Sequence, residues 1–166
     1  MKKALIIIDM QYGFMRNGVE TLVDPIYKYA ASNNFDEIIG FRYINNENTA
    51  CYKFGNWKRC MAGTKEAEII PKLKNICTKI FEKSKYSCYT PEFVDYMKEK
   101  GIDTLYLVGV NTECCVLHTA FDAYDALMEC RVIENLCGST GGVEMHNYAI
   151  RILKDCITEK RVLMEL

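Results

Sequence analysis

Apolar positions along the chain gather into short β-branched runs, separated by stretches with helical period. Ala4 to Ile8 is a continuous run ending at Asp9, which suits a strand covered on both faces, as in a parallel sheet. Further strands are predicted over Glu37 to Ile44, Lys79 to Phe81, Thr104 to Val108 (ending at Gly109), Arg131 to Ile133 and Arg161 to Leu166. Between them, residues 25 to 33 read as a helix with Pro25 near its start. Thr64 to Lys74 has apolar residues at helical spacing, Thr64 as N-cap and a break or kink at Pro71. Thr90 to Lys100 has Thr90 as N-cap, Pro91 at the first position and Gly101 just past the end. Thr112 to Glu129 puts Val116, Ala120, Ala123 and Leu127 on one face, and Val143 to Asp155 is a last helix. Residues 45 to 64 show no period, and so long a loop in a compact domain is often functional.

Strands alternating with helices predict an α/β fold: a three-layer α/β/α sandwich around a mostly parallel, six-stranded open sheet. No linker, repeat or low-complexity segment divides the chain, so residues 1–166 are expected to form a single domain. In such sheets ligands bind beyond the carboxyl ends of the strands, near the point where strand order reverses. Asp9, Lys83 and the NTECC segment all fall at predicted strand ends.

Composition narrows the classes. The 166 residues are 49% apolar, enough for a core without metals or staples. Lys and Arg number 21 against 22 Asp and Glu, a net charge of -1, which gives no reason to expect nucleic acid or an acidic membrane as partner. The opening MKKALIIIDM is read as a buried strand, since its apolar run is too short for a secretory leader, and no run approaches a membrane span. The 9 cysteines are odd in number and contain no C-x-x-C pair. They are expected to be reduced in a cytoplasmic protein, most of them as small buried hydrophobes.

The strongest chemical signal is LYLVGVNTECCVLHTAFDAYDAL. A strand runs into a tight turn, and a helix opens near a pair of cysteines. A thiol there feels the positive end of the helix dipole, and the first-turn N–H groups can hold an oxyanion. Taken alone, the pattern leaves open whether Cys114 and Cys115 do chemistry or fill space.

Three segments together carry a family resemblance. ALIIIDMQYGF resembles the D-x-Q-x-x-F opening of the isochorismatase-like cysteine hydrolases, EKSKYSCY their K-x-x-Y-S motif, and LVGVNTECCVLHTAFDA their cysteine motif. CMAGTKEAEIIPKL and ENLCGSTGGVEMHNYAIRIL are similar to two further family elements, so the resemblance runs through essentially the whole chain, in order. It implies Asp9, Lys83 and Cys115 as catalytic residues. Lys83 is chosen over Lys85 because it stands three positions before Tyr86, and Cys115 over Cys114 because Val116 follows it. It also implies a cis peptide at Val110–Asn111 and an oxyanion site made by the N–H of Cys115 with that of Asn111 or Thr112. The implied activity is hydrolysis of an amide, ureido or carbamoyl C–N bond in a small molecule through a thioester.

The chain also departs from the family. Nicotinamidase members carry a D-x-H metal motif after the second strand, where this chain reads GFRYINNENTACYKFGN, without histidine. No catalytic metal and no cofactor are therefore expected. His118 and His146 are read as local packing or capping residues. Tyr12 and Gly13 replace a common Asn-Asp, which could reshape the pocket mouth. Phe14, Arg42, Trp57 and Tyr86 are the candidate substrate-binding residues. Arg42 could meet a substrate carboxylate or be an ordinary surface arginine. The family implies a homo-oligomer, dimer or tetramer. Alternatives kept open are a non-catalytic binding or redox-sensing relative with a reactive cysteine, and a vinyl-ether hydrolase. A Rossmann nucleotide-binding module lacks its glycine fingerprint here, and a phosphatase lacks a second nearby aspartate.

Overall fold

The structure, a computed structural model, describes residues 1–164. Six strands form one sheet: β1 (Lys2–Ile8), β2 (Glu37–Tyr43), β3 (Lys79–Lys83), β4 (Ile102–Val110), β5 (Glu129–Gly138) and β6 (Val162–Leu163). Their order is β3-β2-β1-β4-β5-β6, and every pair is parallel. The helices are α1 (Val23–Ser32), α2 (Ala50–Lys53), α3 (Pro71–Lys74), α4 (Pro91–Lys100), α5 (Leu117–Asp125) and α6 (Val143–Cys156).

Two cores flank the sheet because β1 is apolar at every buried position. Ala4, Ile6 and Ile8 face one core with Phe93 and Met97 of α4, Ala120 and Ala123 of α5, and Ile150 and Leu153 of α6. Leu5 and Ile7 face the other with Ile26 and Tyr29 of α1 and Leu73 of α3. Each fully buried isoleucine or leucine contributes about 2 kcal/mol by transfer from water. Parallel strands require crossovers, and the two directions of winding put α1 and α3 on one face and α4 to α6 on the other. The order reverses between β1 and β4, which makes the carboxyl ends of these two strands the crevice of the fold.

The α4 signals behave as the sequence indicates: Thr90 Oγ1 accepts from Phe93 N–H, Pro91 opens the helix, and Gly101 ends it at φ +68°. Other elements differ from expectation. Pro71 begins α3 rather than breaking a longer helix, and the segment before it is a 3-10 turn, Lys65–Ala67, in which the Thr64 side chain makes no cap. The helix expected over 112 to 129 is a π turn, Thr112–Val116, followed by α5, and it stops at Asp125 because Glu129 already pairs with Thr104 in the sheet. β5 is accordingly much longer than Arg131 to Ile133. The long segment 45 to 64 contains one helical turn, α2, capped by Thr49 Oγ1 accepting from Tyr52 N–H. Of the last strand expected over Arg161 to Leu166, Val162–Leu163 pairs with β5, and residues 165–166 lie outside the described residues.

Gly109 is what lets β1 and β4 meet at the crevice. Its φ is +109°, and a Cβ there would sit 2.2 Å from Ile8 O. Gly109→Ala is expected to cost about 1–3 kcal/mol, read as a lower denaturant midpoint. An unchanged midpoint would show that the β1–β4 junction tolerates a side chain.

Candidate active site

Three elements deliver three ionisable groups to the crevice. β1 ends at Ile8, and Asp9 turns out of it in the left-handed region, φ +52°, which aspartate tolerates better than most residues. Its N–H still bonds to Phe41 O at 3.0 Å, so the turn is anchored to β2. β3 ends at Lys83. The π turn after β4 carries Cys115.

Lys83 Nζ lies 2.7 Å from Asp9 Oδ2 and 3.3 Å from Cys115 Sγ. It also donates to Lys85 O at 3.2 Å and stands 5.3 Å from the centre of the Tyr43 ring. Asp9, Lys83 and Cys115 are 0%, 4% and 5% exposed. A buried ion pair is costly to assemble and costly to break, so its presence here is weak evidence of a stabilising role. Asp9 Oδ1 has no partner of regular hydrogen-bond geometry, and the Cys115 thiol faces the same carboxyl.

Burial raises the Asp9 pKa above the usual 3.8, and Lys83 only partly offsets this. Burial and then the Asp9 charge push the Cys115 thiol well up, so at rest it holds its proton. For Lys83 burial acts downward, but Asp9 and Cys115 outweigh it and keep the ammonium charged above its ordinary range. The resting site thus holds an ammonium and a neutral thiol beside a carboxyl whose pKa burial has raised. A carboxyl whose pKa is raised by burial is a stronger base when ionised, which suits the exchange of that thiol proton.

The backbone around Cys115 is held from several sides. The Val110–Asn111 peptide is cis. Cys114 and Val116 N–H both bond to Asn111 O at 3.1 Å. Asn111 Oδ1 accepts from Thr140 N–H at 2.8 Å. Thr112 Oγ1 donates to Gly138 O at 2.9 Å and lies 2.8 Å from His146 Nδ1. A hydroxyl has one proton, so His146 Nδ1 is the donor in that pair. Thr119 ties two arms of the site together: its hydroxyl donates to Cys115 O at 2.6 Å and accepts Cys88 N–H at 2.9 Å. Spacing does not single Thr119 out, because it reads as one more residue of a helix face. Its helical position four after Cys115 is the signal that could have found it.

A cavity of about 330 Å³ opens over Cys115. Phe14, Tyr43, Trp57 and Tyr86 form aromatic walls, with Phe14 and Trp57 stacked at 5.6 Å between centroids. Asn111, Cys114, Cys51 and Thr140 also line it. Of the residues singled out from sequence, Phe14, Trp57, Tyr86, Asn111 and Cys115 therefore meet at one cavity, and Asp9 and Lys83 support it from beneath. Arg42 does not reach it. Strand register puts Arg42 opposite Glu82 on β3, and the two form an ion pair away from the cavity. The arginine that lines the cavity is Arg16, which the sequence reading passed over. His118 stays local, its Nδ1 2.8 Å from Cys114 O and its ring against Tyr86.

The segment after β2 does not suit a resident metal. The Asn45 carboxamide is committed to Trp57 O, Arg59 O and the Thr49 hydroxyl. Among the described residues no group of three or more His, Cys, Asp or Glu side chains is placed to hold a metal ion. Among them too, no helix is long and apolar enough to cross a membrane.

Comparison with known proteins agrees with this fold. Over 92 residues the chain is 36% identical to a nicotinamidase of Acinetobacter baylyi; the match covers 47% of this chain and 43% of that protein, so it spans less than half of the relative's length. An isochorismatase-like hydrolase from Alkaliphilus metalliredigens superposes with a TM-score of 0.85 at 25% identity, covering 99% of this chain and 94% of the other. The nicotinamidase/pyrazinamidase of Bacillus subtilis superposes at 0.78 with 25% identity, over 98% and 99% of the two chains. The Isochorismatase domain family matches residues 3–160, and the chain belongs to that family.

Proposed function

We propose that the protein hydrolyses a C–N bond of a small amide, ureido or carbamoyl compound, with Cys115 as nucleophile, Asp9 as proton carrier and Lys83 as their electrostatic partner. The observation that carries the reading is the buried contact of Lys83 Nζ with both Asp9 Oδ2 and Cys115 Sγ, beneath an open cavity. The amide activity in the names of two relatives supports the bond type.

The steps follow from the proton inventory. Asp9 takes the Cys115 proton while the thiolate attacks the carbonyl carbon, and Lys83 holds the growing negative charge on sulfur. First-turn amides, those of Cys115 with Asn111 or Thr112, hold the oxyanion. Collapse breaks the C–N bond, and Asp9 returns the proton to the leaving nitrogen. Water then attacks the thioester and gives a proton to Asp9, and that proton restores the thiol. Amide and water become acid and amine.

Ammonia release from a panel of primary amides, ureides and carbamoyl compounds tests the reading. Release from one class establishes it and names the class. Silence across the panel, from a protein that is folded, rejects it.

The acid limb of the pH profile is a further check. Asp9 accepts the thiol proton only when ionised, and burial has raised its pKa above 3.8. Activity is therefore expected to fall with decreasing pH at a value above the ordinary carboxylate range. Lys83 is shifted upward from 10.5, so its loss of charge sets no limb below that pH. An acid limb in kcat/KM at or below the ordinary Asp value would remove Asp9 as the base.

A further inference from the structure

We propose that Arg16 makes the cavity selective for anionic substrates, so that the compound hydrolysed carries a carboxylate at the end remote from its scissile bond. This rests on the hydrolase reading for the bond and on separate observations for the charge. Arg16 lines the cavity from its exposed rim. Among the described residues no Asp or Glu lines it. Among the described residues the Arg16 guanidinium belongs to none of the ion pairs, in contrast with Arg42, Arg59, Arg131 and Arg161. The acid whose carboxyl feels Arg16 is Glu66, and Arg59 already holds it through Nε and Nη2 at 3.0 and 2.8 Å. Beneath the cavity, the Lys83 ammonium is already engaged by Asp9 and enclosed with it. The rim is therefore left with one uncompensated positive charge over aromatic walls. A guanidinium so placed meets a carboxylate in two parallel hydrogen bonds, while a neutral amide gains little from it.

The walls add shape to charge. The Phe14–Trp57 stack and the Tyr43 ring, which packs edge-on to Trp57, offer flat apolar surface between Arg16 and Cys115. A planar or short acyl group spans them, with its amide toward sulfur and its carboxylate toward the rim.

Trp57 is the only tryptophan in the chain and lines the cavity, so its fluorescence reports occupancy without turnover. In a Cys115→Ala background, succinamate, 3-carbamoylbenzoate and 4-carbamoylbenzoate are titrated, each against its neutral diamide. Within at least one pair the anion is expected to bind about tenfold tighter at low salt. That preference should shrink as salt rises, vanish in Arg16→Gln and survive in part in Arg16→Lys. Equal binding within every pair overturns the proposal, and so does a preference that persists in Arg16→Gln. Absence of any Trp57 response overturns it as well. Arg16 is exposed, so these variants are expected to fold, and circular dichroism checks that they do. Ammonia release by the Cys115-containing protein is scored separately. Charge preference without release sinks the hydrolase reading alone; release without charge preference sinks only the role of Arg16.

Discussion

Cys115→Ala is expected to lower kcat on any amide the protein hydrolyses by at least about a thousandfold, with the fold intact. The size of the loss follows from the site. Of the three groups Cys115 lines the cavity, while Asp9 and Lys83 lie behind it, so neither is placed to replace the thiol as nucleophile. What remains without the thiol is positioning and the oxyanion amides. Cys115→Ser is the sharper test. It keeps an O–H where the S–H was, but a hydroxyl is far harder to ionise than a thiol, and Lys83 Nζ at 3.3 Å is placed for sulfur. Serine is therefore expected to lose nearly as much as alanine. Mass spectrometry of a quenched wild-type reaction should find an acyl group on Cys115. Full activity in either variant would remove Cys115 from the chemistry.

Lys83→Met should cost both activity and stability. It strands the Asp9 carboxyl without a counter-ion in a fully buried site, for which removal of one partner costs about 3–5 kcal/mol. The chain can relieve this by protonating Asp9. Losing Lys83, which acts to lower the Asp9 pKa, drives that pKa further up in the folded state. The folded form then binds a proton that the unfolded form, with an ordinary value near 3.8, releases. Stability should accordingly decline as pH rises from that value toward the folded pKa, so the variant is less stable at pH 8 than at pH 5. Asp9→Asn combined with Lys83→Met should recover much of the stability and none of the turnover. Urea midpoints at the two pH values decide the matter. A single variant as stable as wild type at pH 8 would mean that the pair is solvated in solution.

How much of this was legible in the sequence follows from what each signal measures. The buried strands were visible because a parallel sheet asks for apolar residues on both faces, and Ala4 to Ile8 supplies them. The ends were less visible. Helical period continues through Leu127, yet α5 stops at Asp125, since the β4–β5 ladder claims Glu129. Period records which face is apolar, not which backbone bond wins. Asp9, Lys83 and Cys115 came from the family resemblance, which local pattern alone did not supply, and the fold brings all three together. Arg42 and Arg16 show the limit. Only inter-strand register could reveal that Arg42 lies opposite Glu82, and only the path of the chain after Asp9 brings Arg16 to the cavity rim. Neither property is local in sequence.

Gln11 joins three separate stretches through one buried carboxamide. Its Nε2 donates to Tyr43 O at 3.0 Å and Ala67 O at 2.9 Å, and its Oε1 accepts Tyr43 N–H at 2.7 Å. Two residues after Asp9, the chain is thus locked to the end of β2 and to the turn that precedes α3. The cavity wall built on those stretches cannot loosen by itself, because opening it strands an amide group in the core. Slow hydrogen exchange should consequently extend beyond the sheet through Tyr43 and its neighbours, as one cooperative unit with the end of β1. If exchange there is slow, the shape of the cavity is fixed by the side chains on its wall and not by motion of the wall.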